Sequence, residues 1–386
     1  MMRTLSKEDM EQLLALRTTA FPLAPGTNNP LVRERVQARL PFTRGLFLDG
    51  VLVSALVSYP FSMYLAGSVV PMAGLAAIMT APEYRRLGYV RELLHSTLAD
   101  LRESGIGWSL EYPFDPAFYR RFGWQSIPNG IVTELPAHLL LTSPPPAAKR
   151  ISGEQLADLK PIYACWARHY NLTLTRDDEA RAAWQRLLMP SRQGSARLAY
   201  RLEDSYLIAA LREQTGDLML TVKDYAFASP QGRRALFAFM GNFAGQTKNI
   251  RIHLPGDEPL GWDHPPAAGN HYQVLQARVV DVPLALQQLP SSSPARFLMR
   301  VHDDFCGWNN RTFRITLHPP GVQVAAASGN AEVTIDVRAL ALLLSGGSSA
   351  RALLRSKMAE GEEGCLESLA SLAGGRNTFQ PQADYF

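Results

Sequence analysis

A chain of 386 residues is longer than one hydrophobic core ordinarily fills, which points to two or three domains. Its 46% hydrophobic and 19% charged residues exclude a disordered or fibrous chain. The net charge of +4 comes from 39 basic against 35 acidic residues, with no basic run longer than two, so neither a nucleic-acid arm nor a polybasic membrane patch is expected, whereas one anionic ligand is compatible.

The N-terminus has no apolar stretch that would make a signal peptide, and no segment reaches bilayer-spanning length. Cys165, Cys306 and Cys365 are distant from one another and never form CxxC, which suits a reducing cytoplasm rather than a disulfide framework. Ser6–Ala20 reads as a helix with Ser6 as N-cap, followed by a Pro/Gly/Asn loop (Pro22–Pro30) and a second helix (Leu31–Leu40). Gly45–Tyr59 reads as a hairpin turning at Asp49-Gly50, and Ala66-Gly67 marks a second turn before the strand from Val69 to Thr80. From Tyr89 to Glu103, Val90, Leu93, Leu94, Thr97, Leu98 and Leu101 share one helical face, with Gly105 as the stop. A short strand, Ile106–Leu110, follows. Leu141–Lys149, with three consecutive prolines, is the clearest linker.

Beyond the linker, helical signals at Gly153–Tyr170, Arg176–Leu188 and Pro230–Ala244 alternate with strand signals at Arg197–Leu211 and Asp217–Tyr225. This order weakly echoes the first part of the chain, without a recurring motif. Gly256–Asn270 is a Pro/Gly-rich loop. The last hundred residues read as an α+β module with strands at Phe297–Val301, Thr312–Leu317, Val322–Ala327 and Ala331–Val337, then short helices flanking Gly346-Gly347. The tail from Asn377 to Phe386 reads as non-helical and ends in Asp384-Tyr385-Phe386.

The most informative stretch is Ala76–Leu94, a strand, a loop holding Arg85, Arg86 and Gly88, and then a helix. Such a loop presents free amides and a positive helix end to an anion, with arginines adding charge-assisted donors. It lacks the GK[ST] of a Walker loop and the further glycines of a Rossmann turn. On the loop alone, a pyrophosphate cradle and a β–α turn with two solvated arginines stand about level. No GxSxG, HExxH or CxxC is present, and His302-Asp303-Asp304 reads better as alternating strand residues at a turn than as a metal site.

Arg85-Arg86-Leu87-Gly88-Tyr89-Val90 resembles the (Q/R)xxGx(G/A) acetyl-CoA loop of the GNAT superfamily of N-acetyltransferases, departing from it at Val90. The departure resembles the PxxRRxG loop of the enhanced intracellular survival (Eis-like) branch. Phe118-Tyr119-Arg120-Arg121-Phe122-Gly123-Trp124, the run Gln276-Ala277-Arg278-Val279-Val280-Asp281-Val282 with Ala285-Leu286, and the terminal Phe386 resemble three further features of that branch. The resemblance spans nearly the whole chain, with residues 151–270 contributing little.

The resemblance implies an α+β architecture: a GNAT domain with a mixed, splayed sheet (1–143), a second GNAT-like domain (150–276) and a sterol-carrier-protein-like domain (277–386). It implies acetyl transfer from acetyl-CoA, without a metal, to a small-molecule amine of aminoglycoside type, in a cytoplasmic homohexamer with neither nucleic acid nor membrane as partner. Protein lysine or a polyamine is the alternative acceptor, and a non-catalytic acyl-CoA- or lipid-binding module the rival reading. Tyr119 is implied as the acid and the Phe386 α-carboxylate as the base; periodicity alone would make Tyr119 a core aromatic, and a chain end is usually frayed. The backbone of Ile78, Met79 and Thr80 would pair with the pantetheine arm, while Arg86, Leu87, Gly88, Tyr89, Val90 and Arg91 would cradle the phosphates. Phe114 and Asp115 would touch the cofactor again. The acceptor pocket is expected near Pro22–Pro30, the helix after it and the C-terminal module.

Overall fold

The computed structural model describes residues 1–22, 26–176, 197–214, 216–260, 270–271 and 275–386. The expected helix at Arg176–Leu188 lies, beyond Arg176, outside the described residues, as do the centre of the Pro22–Pro30 loop and most of Gly256–Asn270.

The chain starts with β1 (Met2–Thr4), a 3-10 turn in which Ser6 and Asp9 cap each other, and α1 (Met10–Ala20). Next come α2 (Pro30–Arg39), capped by the Asn29 side chain, then β2 (Thr43–Leu48), β3 (Val51–Leu65) and β4 (Ser68–Thr80). Both hairpin turns need two consecutive left-handed residues. Asp49 and Gly50 take φ 48° and 81°, and Ala66 and Gly67 take 52° and 80°. After the loop, α3 (Tyr89–Glu103) buries Leu93, Leu94, Thr97, Leu98 and Leu101 against the sheet, which continues with β5 (Trp108–Glu111), a five-residue helix α4 (Pro116–Arg120) and β6 (Gln125–Ile127).

The second sheet takes β7 (Ile131–Pro136), β8 (Lys149–Arg150), β9 (Arg197–Arg201), β10 (Ser205–Gln214), β11 (Asp217–Phe227), β12 (Asn249–Leu254) and β13 (Asn270–His271), flanked by α5 (Lys160–Ala167) and α6 (Pro230–Gly241). Then β14 (Leu275–Val279) returns to the first sheet and inserts between β5 and β6, giving the order β1-β2-β3-β4-β5-β14-β6. Strand pairings cross both expected domain cuts: β7, which precedes residue 143, pairs with β12, and β14, which runs through residue 277, pairs with β5 and β6.

The last unit follows with α7 (Val282–Gln287), then β15 (Ala295–His302), β16 (Thr312–His318), β17 (Gly321–Ala326), β18 (Val333–Asp336), α8 (Val337–Ser345), α9 (Ala350–Arg355), β19 (Ala359–Gly361) and α10 (Glu363–Ser371). Its five-stranded sheet runs β17-β16-β15-β18-β19. One continuous core joins Met63, Met72, Trp108 and Leu110 of the first sheet to Leu340, Leu343 and Leu344 of α8 and Ile315 of the third sheet. Burial of that size, at roughly 25 cal/mol per Å², fixes the last unit against the first. The tail contains a 3-10 turn at Gln382–Asp384, where none was expected. Among the described residues no helix is long and apolar enough to cross a membrane.

Candidate active site

The site is built on a split in the first sheet. β4 and β5 pair in parallel through four rungs, from Met72–Trp108 to Leu75–Glu111, and there β5 ends while β4 runs on to Thr80. An extra β4 residue opposite β3 bends the strand at this point: Ala55 faces Met79 whereas Val57 faces Ala76, and Ala77 takes φ 48°. The β5-facing edge of Ala76–Thr80 is left open, with unpaired backbone groups of the kind an extended amide chain can add to. Side chains here are already committed: Met79 packs among α1 and α2, and the Thr80 hydroxyl lies 2.9 Å from that of Ser54. The Met79 and Thr80 carbonyls already accept from the Ser54 hydroxyl (2.9 Å) and Arg85 Nε (3.1 Å).

The loop from Ala81 to Gly88 carries the strand into α3. Arg86 and Gly88 both have positive φ (64° and 90°), so successive amides turn inward at the helix start, and no side chain caps it. A Cβ on Gly88 would meet nothing within 4 Å, so open space lies beside the loop. Arg85 points back to the Thr80 carbonyl (3.1 Å), while Arg86 makes no such bond among the described residues and is exposed, as is Leu87. Arg91 lies over the Phe305 ring (5.1 Å), and Val90 packs on the core under α3.

Successive β4 residues face opposite sides of the sheet, and the two expected catalytic groups divide between those sides. Tyr119 clusters with Ala73 and Leu75 on the α3 side, 3% exposed, with Phe118 edge-on at 5.0 Å and Trp124 at 6.5 Å. Burial, aided by the carboxylates of Glu111 and Asp115, pushes its phenol pKa far up, so the hydroxyl keeps its proton at any working pH. Phe114 is 77% exposed with its ring 5.7 Å from Tyr119, and Asp115 caps α4 through the Ala117 amide (2.9 Å).

Phe386 lies on the other side. A Cβ built on Gly74 would sit 2.7 and 2.8 Å from its ring atoms, so the terminal ring covers Gly74, next to the last rungs of the split. Phe61 and Tyr112 flank it at 5.2 Å, Tyr59 at 6.4 Å, and Arg39 lies over Tyr59. What holds the terminus there belongs to the second sheet. Asp384 is fully buried, accepting from Arg176 Nε (2.7 Å) and the Tyr163 hydroxyl (2.8 Å); Arg176 also binds Asp224 (2.7 and 3.1 Å), to which the Tyr206 hydroxyl donates. Upstream, Gln380 exchanges backbone bonds with the Asn129 side chain (2.6 and 3.2 Å), and Tyr112 donates to the Gln380 side chain. The Tyr385 ring stacks on Tyr112 at 3.9 Å.

Residues 1–127 and 166–279 each match a GNAT acetyltransferase domain model, and residues 282–381 match a sterol carrier protein domain model. The chain therefore carries two GNAT acetyltransferase domains followed by a sterol carrier protein domain. Its whole fold is similar to a GCN5-related N-acetyltransferase from Anabaena variabilis (TM-score 0.87, 21% identity, all of both chains) and to Eis1 from Mycobacterium abscessus (0.81, 19%, all of both chains). In sequence it is 24% identical over 372 residues to an uncharacterized N-acetyltransferase of Streptomyces coelicolor, covering 89% of each chain.

In this acetyltransferase the suspected repetition of the first part of the chain corresponds to the second GNAT domain. Sequence reasoning missed the residues that seat the tail: Arg176, Asp224, Tyr163, Asn129 and Asp384. A lone acid in an apolar tail was the one signal available, and its partners Arg176 and Tyr163 sit 208 and 221 positions upstream in the chain. Asp303, weighed as a metal ligand, instead binds the fully buried Arg278 (2.7 Å), which donates to the Phe122 carbonyl and so ties the Tyr119 segment to the last unit.

Proposed function

We propose that the protein transfers the acetyl group of acetyl-CoA to a primary amine in a single ternary complex, with Tyr119 as acid and the Phe386 carboxylate as base. The observation that carries this reading is the placement of the two residues on opposite sides of the β4–β5 split. Direct attack needs that arrangement: the amine approaches the thioester carbon from one side and sheds its proton there, while the thiolate departs and is protonated on the other. A thioester laid along Ala76–Thr80 has donors in the strand's free amides for its developing oxyanion. The inward-turned amides around Arg86–Arg91, together with the Arg86 guanidinium, suit the pyrophosphate, and exposed Phe114 suits the apolar arm. The residues present fit acetyl-CoA as co-substrate.

The family resemblance supports an aminoglycoside-type acceptor, a homohexamer and a cytoplasmic setting, with domains divided at 1–143, 150–276 and 277–386. Protein lysine and polyamines are the competing acceptors. The test is coenzyme A release from acetyl-CoA by untagged protein with aminoglycosides, polyamines and a lysine peptide. Tyr119→Phe should lower turnover by roughly 10²–10⁴ with acetyl-CoA affinity kept. Unchanged turnover rules out Tyr119 as acid; tight acetyl-CoA binding with no turnover on any amine favours an acyl-CoA-binding module instead.

A further inference from the structure

Tyr119 as placed is a reluctant acid. Giving up its proton creates a phenolate in an apolar pocket, facing two acidic side chains, and among the described residues no hydrogen bond reaches its hydroxyl. A phenol in that setting needs a neutral donor close by to stabilise the negative charge as it forms.

Glu111 lies on the same side of the sheet as Tyr119. It is the last paired residue of β5, on the rung where β4 and β5 part, and it faces the α3 side together with Leu75 and Tyr119. It is 2% exposed, its Oε1 is buried, and among the described residues that oxygen has no partner. Directly across on β14 is Gln276, whose Oε1 is also buried and, among the described residues, has no partner, while its amide donates to the Pro116 carbonyl at the start of α4 (3.1 Å) and to Ser126 (3.1 Å). Two buried acceptors on adjacent strands are a costly arrangement that one added proton resolves, since a carboxylic acid donates where a carboxylate cannot.

We propose that Glu111 is a positioning residue for Tyr119: a neutral carboxylic acid at the apex of the split whose single O–H rests toward Gln276 Oε1 and turns to donate a hydrogen bond to the Tyr119 oxygen as the tyrosine proton passes to the coenzyme A sulfur. This rests on the acid role of Tyr119 proposed above. Burial pushes the Glu111 carboxyl well above the usual carboxylate range, in the direction that favours the protonated acid. Around Tyr119 the acidic groups are Glu111 itself and Asp115, which precedes α4; from β14 the side chain opposite Glu111 is the neutral amide, and Arg278, next along that face, pairs with Asp303. No net proton is consumed at Glu111. Tyr119 O–H breaks, S–H forms, and the carboxylic O–H turns toward the phenolate until solvent restores the phenol.

The test is kcat against pH at saturating acetyl-CoA and amine, for wild type, Glu111→Gln, Glu111→Leu and Tyr119→Phe. Wild type should lose kcat on an alkaline limb as the carboxyl ionises. Glu111→Gln keeps a neutral donor, so its kcat should stay within about threefold and the limb should disappear; Glu111→Leu should lose roughly 10–100-fold in kcat with the KM for acetyl-CoA unchanged. The proposal is overturned if the alkaline limb survives in Glu111→Gln, or if the Gln and Leu variants have equal kcat at neutral pH. Should Glu111→Leu fail to fold, the pH profile of Glu111→Gln decides alone. A wild-type rate in Tyr119→Phe overturns the acid assignment itself; a dead Tyr119→Phe beside indifferent Glu111 variants overturns only the role of Glu111.

Discussion

Placing a methyl group on Gly74 tests the base without touching it. In Gly74→Ala the new carbon would start 2.7 Å from the Phe386 ring, against an ordinary contact of about 3.6 Å, an overlap of roughly 1 Å. The strand cannot yield readily, because Gly74 is held between Tyr59 on β3 and Leu110 on β5. Its backbone is not in the left-handed region, so alanine adds no backbone strain. Phe61, 2.9 Å from the same point, is anchored within β3, whereas Phe386 is the terminal residue and half-buried, so the ring that gives way is the one carrying the carboxylate. Overpacking of this kind costs about 1–3 kcal/mol in a closed core and should lie at the low end here. The catalytic cost is larger, because a displacement near 1 Å is worth on the order of 10²-fold. Coenzyme A release should therefore fall 10–100-fold while the melting temperature and acetyl-CoA affinity stay near wild type. Combined with deletion of Phe386, the substitution should add nothing, since both act on one group. A wild-type rate in Gly74→Ala, or losses that multiply in the double variant, would refute the reasoning.

Charge at the loop is tested by Arg86→Gln, which shortens the side chain but keeps it polar and removes its charge. The KM for acetyl-CoA should rise about tenfold or more, with kcat at saturation little changed; an equal fall in kcat would place Arg86 in the chemical step. Acid sensitivity should arise at His253, which is buried beside Phe379 and paired to the Asn129 carbonyl. Burial lowers its pKa to about 4, so the unfolded chain binds the extra proton first and stability should drop as pH falls from about 6.5 toward 4, by up to about 3 kcal/mol. Thermal melts of wild type and His253→Gln across that window should diverge, and parallel curves would exclude His253 as the cause.

The sequence by itself determined what depends on neighbours along the chain. Asp49-Gly50 and Ala66-Gly67 could only be tight turns because they take left-handed φ, and Leu93 to Leu101 could only be the buried stripe of α3 because their spacing matches a helix. The loop from Arg85 to Arg91 was legible for the same reason, as its function depends on consecutive amides. Only the tertiary structure decided where the chain end goes. Asp384 finds Arg176 across 208 positions, Gly74 leaves room for Phe386 across 312, and β14 crosses from one GNAT sheet into the other, none of which leaves a periodic trace. Glu111 makes the point most directly. In sequence it is an acid in a short strand; only the register that makes it the last rung before β4 and β5 part, opposite Gln276, buries it and pushes its carboxyl above the usual carboxylate range.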